Sequence, residues 1–548
     1  MQKHPVHPLS GLGSIWTVLP PLVLALCIAL IAQGALGLCD GHFTYSLDDA
    51  YIHMSMAKNF ASSAVWGVTP YTFSSTTSSP LWTGLISAFF FLLGPIEWIP
   101  LCLNILIAFA LILVSRHILL TGGLDPKTSS ILLILIILIS ALPALIFTGM
   151  EHILHALLAL LFIVLLRDAV FGRADRQVSI ALGLLSAALA LIRYETIFLV
   201  APAILLLLLM KKRSLVASIC VGFFAMWAIY GLISVSQGWF WVPNSILLKS
   251  QTSFDGNPLA SGPISLIAGK LVSNLFYLPL TLLFILSIWV VLDAWGKNKR
   301  FNSDPMVFAS TLLLLTVVMQ MLFGIVFPLQ FMRYEFYLIF AGLVFLAKPL
   351  LDLLTSTVHS AWARSDAPSS ILFVLLLLLS ISVLIPLLSL PASSLTKTPQ
   401  ACSNIYHQQY QMGRFLHLYY PNGTIAANDI GAITFLSNIH LVDLYGLSSM
   451  EVAESKLKGT YDTAEIDQIT KEKGAEIAIV YDSWFQGPRT LPSTWIKAGE
   501  WTIPNNVICG DDRVSFYALA NSSKIPLREH LESFLASLPE GDSQNLSR

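Results

Sequence analysis

Charge is what this sequence has least of. Only 11% of its 548 residues are Asp, Glu, Lys or Arg, about half the roughly 25% of an ordinary soluble domain, while 55% are apolar. A soluble chain of this length would lack the polar surface to cover itself, which excludes a cytosolic enzyme or a secreted module. Neither sign is in excess: 31 Lys and Arg face 32 Asp and Glu, and this balance gives no electrostatic footprint for nucleic acid. Cysteine is scarce as well, six in all, and no CxxC or HExxH spacing suggests a zinc site.

What fills the sequence is apolar runs of spanning length, with a mean hydropathy of +0.72. The first, from about Ile15 to Leu38, is too long for a typical signal-peptide core and reads as an uncleaved span with a cytoplasmic amino end. Others lie near 97–118, 129–148, 150–167, 178–193, 195–210, 214–235, 268–294, 306–328, 334–354 and 370–390, about eleven spans together. Residues 79–94 are short for a crossing, and parity decides their role. If they do not cross, the basic loops at Arg167 to Arg176, Lys211 to Arg213 and Lys297 to Arg300 are all cytoplasmic, as the positive-inside rule requires. They are therefore expected to be interfacial or re-entrant. The expected architecture is a polytopic α-helical membrane body (1–390), with a first external loop at 39–96, and a soluble extracytoplasmic α/β domain (391–548).

In that tail, short β-type runs such as TIAAN, IHLVDL and AEIAIVYD alternate with helical stretches from Gly423 onward. Cys402 and Cys509 are its only cysteines, and an extracytoplasmic compartment permits a bridge between them. Cys27, Cys102 and Cys220 lie in apolar runs and read as packing residues.

The segment LDDAYIHMSMAKNF places two adjacent carboxylates, Asp48 and Asp49, just outside the first span. Locally they read as capping acids at a helix start. Their position beside the long loop WGVTPYTFSSTTSSPLW also suits a general base acting on an acceptor hydroxyl. Other charges collect at span ends on the same side: Glu151 and His152 in TGMEH, Arg193 and Glu195 in IRYET, Lys249 in VPNSILLKS, Arg333 and Glu335 in MRYEF. Singly, each could snorkel to headgroups. Together, acids in the first loop and bases in later ones suit a site that binds a phosphate and activates a hydroxyl.

These motifs, with SSPLW, ALIRYE and DIGAITFLSNIHLVDLYGL at Asp429 to Leu447, resemble in order and spacing those of the polytopic C-type glycosyltransferases (GT-C). The nearest likeness is to the mycobacterial terminal arabinofuranosyltransferase family and its bacterial relatives. The resemblance implies a bacterial inner-membrane glycosyltransferase that moves a sugar, a pentofuranose such as D-arabinofuranose, from a polyprenyl-phosphate donor in the bilayer to a cell-envelope glycan by inverting displacement. It implies that Asp48 is the base and Asp49 its neighbour, the assignment between the two staying open, and that Lys249 and Arg333 meet the donor phosphate. Glu151, His152, Arg193 and Asn244 become candidate substrate-binding residues. Asp429 and Asp443 match the tail motif, Asp429 being equally well placed as a helix cap. A divalent cation, Mg²⁺ or Mn²⁺, would suit carboxylates and phosphate, but the sequence shows no dedicated cage and metal dependence stays open. A different lipid-linked sugar or a protein acceptor would use the same chemistry. A secondary transporter is the competing class and predicts internal repeats, which the sequence does not display; a non-catalytic scaffold leaves the one-sided charges unexplained.

Overall fold

The computed structural model describes residues 15–172, 175–251, 263–275, 277–324, 331–363, 389 and 391–547. Among them six helices are long and apolar enough to cross a membrane: Ile15–Leu38, Ile99–Thr121, His152–Phe171, Arg213–Ser236, Leu278–Gly296 and Pro305–Phe323. On the first, Leu22, Leu26 and Leu30 are exposed while Leu24, Ile31 and Ala35 are buried, the pattern of a helix that meets lipid on one side and protein on the other. Four further apolar helices are shorter: Pro80–Leu93, Pro126–Ile139, Arg176–Ile192 and Tyr194–Leu209.

Two expected spans are broken. The run 129–148 becomes Pro126–Ile139 and Leu142–Ile146, separated at Ala141, whose φ of 54° is left-handed. The run 268–294 becomes Pro263–Leu275 and Leu278–Gly296. In both, a proline (Pro143, Pro279) sits in the first turn of the second piece, where its missing N–H costs nothing, whereas deeper in a helix it would remove a bond. Residues 370–390 lie outside the described residues. Pro80–Leu93, at 14 residues, is about 21 Å long, well short of the roughly 30 Å hydrocarbon core.

The tail carries a six-stranded sheet in the order β2-β1-β3-β5-β4-β6, with β1 Thr424–Ala427, β2 His440–Asp443, β3 Ile477–Val480, β4 Ile496–Thr502, β5 Arg513–Ala518 and β6 Ser543–Leu546. β2, β1 and β3 are parallel, and β5, β4 and β6 continue antiparallel. One face packs on Phe415, Trp501, Phe516 and Phe534; the other packs on Val442, Ile466, Val480 and Trp495.

One pair of helices docks the tail to the membrane body most extensively. The six-residue helix Gly431–Leu436 lies against Asp49–Ser63. Asp48 accepts from the Gly431 and Ala432 amides at 2.7 and 2.8 Å, capping the amino end. At the other end Lys58 Nζ donates to the Phe435 carbonyl at 2.6 Å. An acid at the amino end and a cation at the carboxyl end both match the helix dipole. Between them Ser55 and Thr434 share a hydroxyl hydrogen bond of 2.9 Å.

Cys402 and Cys509 are both free thiols in the structure, contrary to the expected bridge. Cys509 Sγ is engaged with Gln409 Oε1 at 3.3 Å, and Gln409 is seven residues further than Cys402 along one helical run. Cys402 is buried instead beside Cys39 and Thr44, and its carbonyl accepts from Thr44 Oγ1 at 2.8 Å.

Candidate functional site

Adjacent in sequence, Asp48 and Asp49 do different things in space. Asp48 is the residue before the helix Asp49–Ser63, and both of its oxygens are spent on tail amides. Burial, then the neighbouring Asp429 carboxyl, push its pKa well above the usual carboxylate range. Asp429 does not cap the helix that follows it, because Asp48 does so from across the chain. Asp429 instead accepts from Gln409 Nε2 at 2.9 Å and Tyr481 OH at 3.0 Å. Asp443 is a turn former: its carboxylate accepts from the amides of Tyr445, Gly446 and Ser448.

Asp49 opens the helix and keeps 27% of its side chain exposed, with Oδ2 2.9 Å from Arg333 Nη1. Arg333 is presented by an unusual backbone: the preceding Phe331 and Met332 both have left-handed φ, 59° and 58°, which two successive non-glycine residues rarely adopt. The ring of Tyr334 lies near two guanidinium groups, Arg333 and Arg193, each 5.0 Å from its centroid, within the range of cation–π attraction.

Arg193 is not a lone phosphate ligand. Its Nη1 donates to Glu151, and its Nε and Nη2 grip Glu195 at 3.1 and 2.6 Å. Glu151 also faces His53, whose Nε2 is 3.6 Å away and whose Nδ1 meets Thr83 and Thr77 at 2.9 and 3.1 Å. This buried chain ties three segments together. The close approach beside it depends on Gly149, where φ is +67° and a Cβ would lie 2.6 Å from the Tyr45 ring. His152 is buried against Tyr334, and neither of its ring nitrogens has a hydrogen-bond partner. Glu335 accepts from Tyr277. Asn244 Nδ2 donates to the Gly446 carbonyl at 2.9 Å, so it holds tail to body. Lys249 lies on the helix Asn244–Gln251, but its side chain is outside the described residues.

Two cavities meet at Asp49. One, of about 330 Å³, opens between the body and the tail and is lined by Asp48, Asp49, Arg333 and Tyr334 from below and by Gln409, Asn428, Asp429, Tyr445 and Trp484 from above. The other, of about 320 Å³, lies within the body among Met150, Phe198, Trp227 and Phe323 and takes charge from Arg193, Glu195, Lys270 and Arg333. Asp49, Arg333 and Tyr334 belong to both walls. A third, largely apolar groove of about 720 Å³ is lined by Phe60, Trp66, Phe73, Leu85, Met226 and Tyr230.

Sequence reasoning missed Lys270, Tyr334, Asn428 and Trp484. Tyr334 stands inside the MRYEF motif between the charges that drew attention; the others sit in segments with no distinguishing local pattern. The donor set does not fit a divalent cation. Among the described residues no three His, Cys, Asp or Glu side chains cluster to hold one, Asp48 is occupied by amides, and Asp49 is paired with Arg333.

The architecture, a helical body with apolar spans and a small sheet domain packed over it, is similar in fold to ArnT from Cupriavidus metallidurans: the crystal structure of ArnT bound to undecaprenyl phosphate matches with a TM-score of 0.50 at 14% identity, over 91% of this chain and 98% of that one. Its apo state matches with a TM-score of 0.50 at 13% identity over the same shares. The Archaeoglobus fulgidus oligosaccharyltransferase, in complex with Zn and sulfate, gives a TM-score of 0.46 at 13% identity, over 90% of this chain and 73% of that one. A family model described as a domain of unknown function (DUF8728) matches residues 403–517. No curated protein matches.

Proposed function

We propose that this protein is a polyprenyl-phosphate-dependent membrane glycosyltransferase in which Asp49, rather than Asp48, is the general base. The observation that carries this reading is the position of Asp49, paired with Arg333 in the wall shared by two cavities. The cavity within the body, apolar with Arg193, Lys270 and Arg333 at its edge, suits a donor whose phosphate is anionic and whose chain stays in the bilayer. The neighbouring apolar groove offers that chain a wall. The cavity under the tail, polar and rimmed by Tyr445 and Trp484, suits an acceptor sugar. The acceptor hydroxyl attacks the anomeric carbon from the tail side, and Asp49 takes its proton. The bond to the phosphate oxygen breaks on the body side, where Arg333 and Lys270 stabilise the charge that develops. A single displacement inverts the anomeric centre.

Arg193 serves as a positioning residue through Tyr334, being already held by Glu151 and Glu195. No step is routed through a metal. The sugar is a pentofuranose such as D-arabinofuranose and the acceptor a cell-envelope glycan, a reading supported by the ordered motif resemblance. The body then sits in a bacterial inner membrane with the tail outside. Purified protein given radiolabelled polyprenyl-phosphate pentose or hexose and cell-envelope acceptors tests the donor class: label should move from the pentose donor into acceptor with inverted configuration. Transfer from no lipid-linked sugar, with solute flux in liposomes, would favour a transporter. A reporter fused after residue 296 should read cytoplasmic, and one after residue 400 extracytoplasmic.

A further inference from the structure

The tail has a crevice that the transfer step does not use. β1 lies between β2 and β3, so the chain leaves β1 for one neighbour and later returns to pair on its other side. In parallel sheets such a switch point opens a crevice at the carboxyl ends of the strands, where ligands bind. Here the residues just past the strands line a cavity of about 210 Å³: Asn428 after β1, Leu444 and Tyr445 after β2, Trp484 and Phe485 beyond β3. It shares Asn428, Tyr445 and Trp484 with the cavity that holds Asp49, so the two are continuous.

Three features of this crevice call for a ligand of one kind. Asn428 is 5% exposed, its Oδ1 is fixed by the Tyr481 amide at 3.0 Å, and its Nδ2 has no hydrogen-bond partner among the described residues. A buried donor in that state costs free energy until something accepts from it. Lys456 donates to the Tyr445 carbonyl at 2.8 Å and sits 4.3 and 5.1 Å from the Tyr445 and Tyr461 ring centres. It has no ion-pair partner among the described residues, and burial brings it down to about 8 although Asp443 opposes this. Arg489, close enough to act on Lys456, is a second cation on the same wall without an ion pair among the described residues. None of the residues lining the crevice is acidic. Exposed Trp484 (41%) stands 5.5 Å from Tyr445 and offers an amphipathic face of the sort on which a sugar ring packs.

We propose that this crevice is an acceptor subsite for an anionic glycan, one bearing a carboxylate or phosphate on a sugar next to the residue that Asp49 deprotonates. Asn428 donates to a sugar oxygen, Trp484 and Tyr445 hold a ring, and Lys456 with Arg489 receive the anion. This rests on the reading of the larger cavity as the acceptor end of the transfer site, and its test is a binding measurement independent of transfer.

Full-length protein in nanodiscs is titrated with three probes: a galacturonic acid trimer, mannose 6-phosphate and a neutral galactose trimer. One anionic probe should bind at least about tenfold more tightly than the neutral trimer, the effect of a single charged contact; which one does so identifies carboxylate or phosphate. The preference should vanish in Lys456→Met, persist in Lys456→Arg and weaken in Arg489→Gln. The Lys456→Arg variant guards against misfolding as the cause of a loss. Equal binding of all probes, no binding, or a preference that survives Lys456→Met overturns the proposal. Binding as expected in a protein that transfers no sugar would leave the subsite standing and overturn the transferase reading instead.

Discussion

The amide of Gly431 donates to Asp48 Oδ2 at 2.7 Å across 383 positions of sequence, and a Cβ at residue 431 would lie 2.2 Å from the Asp48 carbonyl oxygen. The first external loop and the tail are thus joined at a point where only glycine fits. Gly431→Ala should therefore loosen the tail, lowering unfolding stability by about 2 kcal/mol or more through forced separation of packed backbone. Limited proteolysis around residues 391–405 and thermal unfolding in detergent would measure it.

Asp48 should tolerate Asn, which keeps an acceptor for one of the two amides, better than Ala, which keeps none. Its carboxyl holds its proton well above the ordinary carboxylate value of 3.8 because it is buried and faces Asp429. A raised folded-state pKa means that the associated stability is fully present below 3.8 and is lost as pH rises through the raised value. Wild-type thermal stability should accordingly fall on moving from acidic to alkaline buffer. Asp48→Asn, permanently neutral, should flatten that dependence, while Asp48→Ala leaves the Gly431 and Ala432 amides unpaired at a cost of about 1–3 kcal/mol.

Arg193 and Glu151 are both buried and joined to each other. Arg193→Met would leave two carboxylates without their cation, a loss of about 3–5 kcal/mol. Glu151→Ala should be similarly severe. Expression level and melting temperature should drop for both, whereas Asp49→Asn should leave them near wild type.

Tyr334 acts through its ring. Tyr334→Phe keeps the ring beside the two guanidinium groups and loses the 3.3 Å contact from Arg333 to the hydroxyl, so transfer should fall by no more than a fewfold. Tyr334→Ala removes the ring, at about 0.5–2 kcal/mol per cation–π contact, and should raise the KM for the donor more than it lowers kcat.

Much of the fold was legible because low charge and long apolar runs leave a chain few alternatives to a membrane bundle. The breaks at Ala141 and Tyr277 were not, since a proline in the first turn of a new helix looks from sequence like a proline inside a long one. Side chains from separate charged motifs come together in space: Arg193 pairs with Glu151 and Arg333 with Asp49. Their division of labour was hidden, because which of two adjacent acids is consumed by a helix cap depends on a segment nearly four hundred residues away. The same long range hid the cap of Gly431–Leu436, which local pattern assigned to Asp429. The expected disulfide is not formed in the structure, where Cys402 and Cys509 are both free thiols and Cys509 engages Gln409.

The central claim is that Asp49, and not its neighbour, removes the acceptor proton. It is tested most directly by transfer of radiolabelled sugar from a polyprenyl-phosphate donor to a cell-envelope acceptor, measured on folded wild type, Asp48→Asn and Asp49→Asn. Asp49→Asn should lose at least about a hundredfold in kcat, the scale of a missing general base, while Asp48→Asn stays within about tenfold of wild type. Loss of transfer in Asp48→Asn with near-normal transfer in Asp49→Asn would contradict the account.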